Sequence, residues 1–306
     1  MSAILLSAVL AAGFGGLTSA SAAIVAPTPV KVATYNVCAE AVHCPDLVAW
    51  STRVKNVAAQ VKLASPDVIT FQQLGTSGTH VPAMTSALGT SYTKVAGSNA
   101  RYIYFKNTTM ARTSTSGANL AAGTFTVQAT STSKLTYVPY SVLRQKSTNA
   151  KLLVVDLHLT SLDSLTSDQN RLTEMNQTMT KIAPTQTANP GIPTIFSGDF
   201  NSLTRHHVDP YESDVNRYRV NEMLLSKGYS DAKTVAEVTV NGELGSLNQT
   251  PTDTRNFGPG FELDHFYVKT GTRVSAWTLV NRDVTYASQY SDHDMTYMTA
   301  YLPVVK

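Results

Sequence analysis

Short apolar segments that each run into a polar residue recur from one end of the chain to the other. Five of them share this pattern: residues 35–37 (YNV), 71–73 (FQQ), 156–158 (DLH), 197–201 (SGDFN) and 291–293 (SDH). A sixth, residues 262–265 (ELDH), places an acid within a predicted strand. Polar side chains at the ends of neighbouring strands can share one site at the edge of a sheet. The pattern therefore predicts a sheet protein whose polar site is assembled from distant segments.

Strands outnumber helices in the hydrophobic pattern, and long helices come singly between groups of strands. Strands are predicted at 30–36, 68–71, 101–105, 125–129, 137–143, 152–157, 193–196, 261–268, 274–280 and 295–302, and helices at 49–64, 165–182 and 220–225. We expect an α/β (α+β) fold, a four-layer sandwich of two mixed β-sheets packed face to face with helices outside. The elements interleave, so residues 23–306 are expected to form a single domain. The polar stretch 240–259 predicts a surface loop near the site.

The first 22 residues have the features of a secretory signal peptide. They hold no charged side chain, the stretch 4–10 is apolar, and Ala20-Ser21-Ala22 offers a cleavage site. The segment lacks the usual Lys or Arg near its start, so a membrane anchor stays open as the alternative. No later segment is long and apolar enough to span a bilayer. We therefore expect a secreted protein with no transmembrane segment.

Composition limits the partners and the redox environment. Hydrophobic residues make up 42% of the chain, which allows a sizeable core, and charged residues only 15%, below the roughly 25% usual in soluble domains. The net charge of +3 permits a phosphate-bearing substrate, but no cluster of Lys and Arg marks a nucleic-acid surface. Cys38 and Cys44 are expected to pair in an oxidising compartment, with two free thiols as the alternative.

The residue types at the strand ends point to hydrolysis of a phosphoester. Asp, Asn and Gln are hard oxygen ligands that suit magnesium or calcium, and no dense set of His and Cys favours zinc. His158 and His293 can move protons near neutral pH. A hard cation would stabilise charge on the phosphoryl oxygens while a base activates water. The absence of a G-x-S-x-G elbow and of a Walker-type loop disfavours serine hydrolases and nucleoside triphosphatases.

Six motifs in order carry a resemblance to a known family. They are TYNV, PDVITFQQL, VVDLHLTS, SGDFNS, ELDHFYV and YSDHDM. From Val30 to Leu302 the chain resembles the endonuclease/exonuclease/phosphatase superfamily, with a pancreatic-deoxyribonuclease-like fold. The resemblance implies metal-dependent cleavage of phosphodiester bonds by water, with Mg²⁺ as the cofactor and Ca²⁺ or Mn²⁺ as alternatives.

The resemblance also implies a role for each motif residue. The catalytic residues would be His158, Asp199, Asn201, Asp264 and His293; the metal ligands Asn36, Gln73 and Asp292; and the substrate contacts Asn36, His158 and Asn201. In this scheme Asp199 and Asn201 hold the phosphate or the attacking water. His158 donates to a phosphoryl or leaving oxygen. His293, oriented by Asp264, is the general base or a phosphate contact.

One motif departs from the family pattern. Where the family has the glutamate that is its main metal ligand, this chain has Gln73 in the pair Gln72-Gln73. With a neutral amide, the cation loses one ligand that carries a full negative charge. The attraction between that charge and the cation is worth roughly several kcal/mol at short range. Metal affinity should therefore fall unless another carboxylate compensates, and Glu40 and Glu262 are the nearest candidates by motif.

The functional expectation is a secreted monomer that acts as a phosphodiesterase, first of all a nuclease on DNA or RNA. Phospholipid, sphingomyelin or a small phosphoester suits the same site as the alternative substrate. Because of Gln73, two further alternatives stay open: a catalytically impaired relative that binds phosphate-bearing ligands, or a metal held elsewhere.

Four further residues lie outside the roles that the resemblance implies. Asp156 faces the same side as His158, and its role is left open. His265 faces away from Asp264 and is interpreted as structural. His43 is interpreted as a surface residue, and Arg101 as a surface charge with a phosphate contact as the alternative.

Overall fold

Fourteen strands and five helices make up the part of the chain that the computed structural model describes, residues 27–113, 121–161, 164–204, 218–247, 261–280 and 289–303. The strands are β1 Pro29–Asn36, β2 Val68–Gln72, β3 Tyr92–Ser98, β4 Arg101–Lys106, β5 Met110–Arg112, β6 Ala122–Val127, β7 Thr136–Gln145, β8 Lys151–His158, β9 Thr194–Asp199, β10 Tyr229–Asp231, β11 Thr239–Val240, β12 Asp264–Lys269, β13 Val274–Leu279 and β14 Thr296–Tyr301. The helices are α1 Trp50–Ala64, α2 His80–Leu88, α3 Leu165–Ala188, α4 Arg219–Ser226 and α5 Ala232–Val235.

These strands form two mixed sheets of seven strands each. The first has the order β11-β13-β14-β1-β2-β4-β3, and the second has the order β10-β12-β9-β8-β7-β5, with β6 also paired to β7. One apolar cluster fills the space between the sheets. A second packs α1 and α2 on the outer face of the first sheet, and a third packs α3 and α4 on the outer face of the second. The predicted four-layer sandwich is confirmed.

The face of each central strand that points to the other sheet changes from apolar to polar along its length. In β1, Val30 and Val32 lie in the core between the sheets, and Asn36 ends the same face. In β8, Val154 lies in that core, and His158 ends that face. The same change takes place in β2, which ends at Gln72, and in β9, which ends at Asp199.

Parallel pairing brings these polar ends to one edge of the sandwich. The parallel strands β1 and β2 place Asn36 beside Gln72, and the parallel strands β8 and β9 place His158 beside Asp199. Antiparallel β12 adds Asp264 next to Asp199. The polar layer between the two sheets is therefore continuous with a site at this edge.

Several elements were not predicted from the sequence: α2, α5, β3, β5, β10 and β11. β3 and β5 are edge strands, and much of β3 is only half-buried, so its sequence lacks the alternation that full burial imposes. The strand predicted to begin at residue 261 begins at Asp264. The predicted disulfide between Cys38 and Cys44 is present.

Two further predictions concern the chain ends and the long loop. The predicted signal peptide, residues 1–22, lies outside the described residues. No helix in the described ranges is long and apolar enough to cross a membrane. Of the predicted loop 240–259, only residues 240–247 are described, and there Ser246 is fully buried.

Gly198 is required by the close approach of β8 and β9 next to the site. Its φ is +144°, and a Cβ at this position would lie 2.0 Å from the carbonyl oxygen of Leu157. We expect Gly198→Ala to lower the free energy of unfolding by about 3 kcal/mol or more, since both backbone strain and a backbone clash oppose it. Chemical denaturation measures this. Gly78→Ala, where a Cβ meets nothing within 4 Å, is the matched control. Equal stabilities of the two variants would contradict this account of the β8–β9 contact.

Candidate active site

The carboxylate of Asp199 lies at the centre of the polar edge. Its Oδ2 accepts a hydrogen bond of 3.0 Å from the Nδ2 of Asn36, across the gap between the sheets. The same oxygen lies 3.4 Å from the Nε2 of His158 and 3.8 Å from the Nε2 of His293. Its Oδ1 accepts a hydrogen bond of 2.9 Å from the backbone N–H of Asn201. One buried carboxylate thus joins residues from four sequence motifs.

His293 is oriented by a second carboxylate. Its Nδ1 lies 2.7 Å from the Oδ2 of Asp264, so its Nε2 faces Asp199. Ser246 supports Asp264 from behind, because its hydroxyl oxygen accepts from the backbone N–H groups of Leu263 and Asp264, both at 3.0 Å. Sequence reasoning did not identify Ser246. It lies in the predicted loop, which carried no motif.

The loop that carries Asp292 and His293 is tied to the end of β1. The Ser291 hydroxyl donates to the carbonyl oxygen of Asn36 at 2.6 Å and lies 3.2 Å from the Oδ1 of Asp292. The buried guanidinium of Arg53 joins the same two segments, since it donates to the carbonyl oxygens of Val37 and Tyr290. These contacts fix the loop against β1.

Asp292 lies beside the disulfide. Its carboxylate and the two sulfur atoms of Cys38 and Cys44 lie within 4.8 Å of one another. Since both sulfurs are in the disulfide, they are not available as thiolate ligands. Burial raises the pKa of the Asp292 carboxyl, against the attraction of the neighbouring His293.

Asn201 follows the site strand in a left-handed backbone conformation with φ of +48°. Its Nδ2 donates to the carbonyl oxygen of Leu159 at 3.1 Å. The side chain therefore joins the segment after β9 to the segment after β8, beside His158. In this position Asn201 holds the segments that carry Asp199 and His158 together.

The two site histidines differ in their electrostatic surroundings. Burial lowers the pKa of His158 to about 4, against the attraction of the Asp199 carboxylate. Burial also opposes charge on His293, but the carboxylates of Asp264 and Asp199 outweigh it and raise its pKa to about 10. Near neutral pH, His158 is therefore neutral and His293 is protonated.

A cleft of about 390 Å³ opens beside the Asp199 cluster. Its lining includes Glu40, His43, Gln73, Arg101 and His158. Gln73 leaves the end of β2 with φ of +50°, and its Oε1 is buried without a hydrogen-bond partner in the described part of the chain. The amide at the position of the expected glutamate thus reaches the cleft with a free acceptor.

Its neighbour Gln72 has a different environment. Gln72 is fully buried between the sheets, where its Nε2 donates to Asp156 at 2.6 Å and its Oε1 accepts from Thr34 at 3.2 Å. Asp156, whose role the sequence left open, is therefore the cross-sheet partner of Gln72. Burial raises the pKa of Asp156 well above its usual value.

The cleft also contains two residues that were interpreted as ordinary surface residues. Arg101 donates from Nη2 to the carbonyl oxygen of His158 at 3.1 Å, and His43 is half-exposed with its Nε2 3.7 Å from the Oε2 of Glu40. Arg101 reaches the site because β4 pairs with β2, and Cys38–Cys44 closes the loop that carries His43. Such long-range pairing leaves no local signal in the sequence.

His265 is structural, in agreement with its predicted direction. It is fully buried, its Nδ1 lies 3.0 Å from Asp231 Oδ2, and its Nε2 lies 2.8 Å from the carbonyl oxygen of Ser202. Glu262 belongs to the same cluster and pairs with Lys233. This cluster lies on the opposite face of β12 from Asp264.

The expected metal ligands agree with a hard cation in their chemistry. Asn36 and Gln73 offer amide oxygens, Asp292 offers a carboxylate, and the buried Oε1 of Gln73 has a lone pair that no described group uses. Oxygen donors of this kind suit Mg²⁺ or Ca²⁺ better than Zn²⁺. The donor types therefore suit a divalent metal, with less negative charge than a glutamate at position 73 would give, and the Oδ1 of Asn36 also accepts from the backbone N–H of Cys38 at 3.3 Å.

Comparison with solved structures identifies the fold. A Bacteroides thetaiotaomicron endonuclease/exonuclease/phosphatase family protein aligns with a TM-score of 0.67 and 15% identity, over 90% of this chain and 95% of that one. The fold is that of the endonuclease/exonuclease/phosphatase superfamily. Mannosyl-6-phosphatase from the same bacterium has a TM-score of 0.64 and 16% identity, over 88% of this chain and 98% of its own. Truncated TDP2 from Caenorhabditis elegans has a TM-score of 0.60 and 18% identity, over 89% and 98%.

Sequence comparisons alone do not reach this superfamily. No protein-family model matches the chain, and no curated protein matches it either. The resemblance seen in six short motifs therefore agrees with the fold, although sequence identity to the compared structures is low.

The pairing of His293 with Asp264 predicts a specific pH dependence. The pKa of His293 is raised from 6.5 to about 10 in the folded protein, so the stability from this pair is fully present below about pH 6.5 and is lost as the pH rises towards 10. We expect Asp264→Asn to cost about 3 kcal/mol at pH 6 and much less at pH 10, by denaturant unfolding at each pH.

A matched control is Asp67→Asn, because that carboxylate accepts a hydrogen bond from the backbone N–H of Lys31 and has no histidine partner among the described residues. Its cost should be the same at pH 6 and pH 10. A cost of Asp264→Asn that does not change over this range would show that the pair contributes no pH-dependent stability.

Proposed function

We propose that this protein is a secreted, metal-dependent phosphodiesterase that cleaves its substrate by attack of water, with nucleic acid as the first substrate class. The observation that carries the proposal is the Oδ2 of Asp199, which lies within 3.0–3.8 Å of one amide and two imidazoles from three other motifs. Such a cluster of a carboxylate and imidazoles beside an open cleft suits proton transfer to and from a phosphoester and water.

Asp199 holds the attacking water and accepts its proton as the new oxygen–phosphorus bond forms. Asn36 keeps the carboxylate in position through its hydrogen bond from the opposite sheet. Because Asp264 occupies its Nδ1, His293 presents Nε2 to a phosphoryl oxygen, and the neighbouring His158 contacts a second one. The bond from phosphorus to the leaving oxygen then breaks, and the protonated His293 supplies the proton that this oxygen needs.

A divalent cation would be held by Asn36, Gln73 and Asp292, and when bound it would stabilise the charge on the phosphoryl oxygens. The sequence features of a signal peptide support secretion, and the disulfide is compatible with an oxidising compartment. In this proposal the mature enzyme is the single domain 23–306, acting as a monomer.

A small phosphoester is the second candidate substrate. It is supported by the fold similarity to mannosyl-6-phosphatase and by the volume of the cleft, about 390 Å³, which suits a small ligand. The moderate net charge of +3 does not by itself demand a polyanion. The choice between the two classes therefore depends on a substrate panel.

We expect Asp199→Asn to reduce turnover of the preferred phosphoester by at least about 100-fold, because the amide cannot accept the proton of water. The assay follows Mg²⁺-dependent cleavage of plasmid DNA, RNA, sphingomyelin, sugar phosphates and bis(p-nitrophenyl) phosphate, with EDTA as the metal-free control. Glu237→Gln is the control variant, since Glu237 is exposed and pairs with Arg273 away from the cleft.

The outcomes separate the alternatives. Intact nucleic acids alongside hydrolysed sphingomyelin or sugar phosphate would reject the nuclease assignment and keep the phosphoesterase. No turnover of any of these phosphoesters with Mg²⁺, Ca²⁺ or Mn²⁺ would reject the enzyme and favour a phosphate-binding relative.

A further inference from the structure

The amide at position 73 leaves the proposed metal site short of negative charge. Gln73 reaches the cleft with a buried acceptor oxygen that has no hydrogen-bond partner among the described residues. An amide oxygen can coordinate a hard cation but brings no charge to the site. Among the proposed ligands only Asp292 brings a carboxylate, so a second carboxylate next to Gln73 would restore the charge that a glutamate at position 73 would give.

Glu40 is placed to supply it. Of the described residues that line the cleft, it is the only acid. The backbone N–H of Ala39, its neighbour in the chain, donates to the carbonyl oxygen of Gln73 at 2.8 Å. This bond holds the segment that carries Glu40 directly against the segment that carries Gln73.

The carboxylate itself is fixed by the loop after Gln73. Its Oε1 accepts from the backbone N–H of Thr76 at 2.6 Å and from the Thr76 hydroxyl at 2.8 Å. Its Oε2 faces His43, with 3.7 Å between that oxygen and the imidazole Nε2. One oxygen thus anchors the side chain, and the other lies next to His43, which also lines the cleft.

Glu262, the other candidate from the sequence, is committed elsewhere. It pairs with Lys233 and lies 3.9 Å from the Nδ1 of His265, in the buried cluster on the far face of β12. It is not among the residues that line the cleft. The structure therefore places Glu40, and not Glu262, at the cleft, which the sequence alone could not decide.

We propose that Glu40 provides the carboxylate that position 73 lacks, so that the disulfide loop, rather than the end of β2, supplies this charge to the metal. This proposal rests on the metal dependence of the proposed function. Cys38 and Cys44 are six residues apart, and the disulfide between them closes the loop that contains Glu40 and His43. The disulfide thereby holds this loop at the cleft. The negative charge would then come from the loop that carries Glu40 and not from the neighbouring segment that carries Gln73.

The test measures Mn²⁺ binding in a double-mutant cycle on the mature chain, residues 23–306. Electron paramagnetic resonance reports the concentration of free Mn²⁺. Four proteins are compared: wild type, Glu40→Gln, Gln73→Glu and the double variant. Glutamine at position 40 keeps an oxygen for the Thr76 hydrogen bonds, so the loop is preserved while the charge is lost. Circular dichroism checks that each variant is folded.

We expect Glu40→Gln to weaken Mn²⁺ binding at least tenfold and Gln73→Glu to strengthen it. The double variant should return to within about threefold of wild type, because one carboxylate replaces the other. Glu262→Gln and the remote Glu237→Gln should bind as wild type does.

Three results would overturn the assignment of Glu40. The first is unchanged affinity in Glu40→Gln, the second is a loss in Glu262→Gln instead, and the third is a double variant as weak as Glu40→Gln. With intact wild-type binding and Mg²⁺-dependent turnover, each of these leaves the proposed function standing. A wild-type protein that binds no Mn²⁺ overturns both Glu40 as a ligand and the metal dependence of the proposed function.

Discussion

The hydrogen bond between Asn36 and Asp199 joins the two sheets at the point where their shared core becomes polar. It connects the last residue of β1 with the last residue of β9, across the layer between the sheets. Gln72 and Asp156 form a second cross-sheet bond in the same layer. Buried polar groups are costly without partners, so these bonds fix how the two sheets meet. The position of the Asp199 carboxylate thus follows from the packing of the sandwich.

The surrounding groups extend this arrangement outward in two directions. On one side, Asp264 orients His293, and the loop that carries His293 is held to β1 by Ser291 and Arg53. On the other side, the cleft begins at Gln73, where the chain turns out of β2. On the first side, the Nδ1 of His293 is paired with Asp264, whereas the second side is open and has an unused acceptor at Gln73. The departure from the expected motif lies on the open side.

The residues of the site at strand ends are predicted well from the sequence, whereas those that depend on loops or on strand pairing are not. Asn36, His158 and Asp199 were predictable because each ends an apolar strand, and strand alternation sets which face it occupies. Glu40 and Arg101 were not placed, since the first depends on a disulfide loop and the second on the pairing of β4 with β2. Edge strands such as β3 were not predicted, because a half-buried strand shows little alternation of apolar and polar residues. The choice between Glu40 and Glu262 required coordinates, because only spatial neighbours separate them.

The central claim is that the cleft beside Asp199 binds a phosphoryl group between two imidazoles. Titration of the protein with inorganic phosphate and Mg²⁺, followed by nuclear magnetic resonance of the histidine side chains, tests it most directly. The account predicts that the signals of His158 and His293 shift together with a single dissociation constant. The buried His265, held by Asp231 on the far face of β12, should stay unchanged as an internal reference. Phosphate that leaves both site imidazoles unshifted, or that shifts His265 alone, would contradict the account.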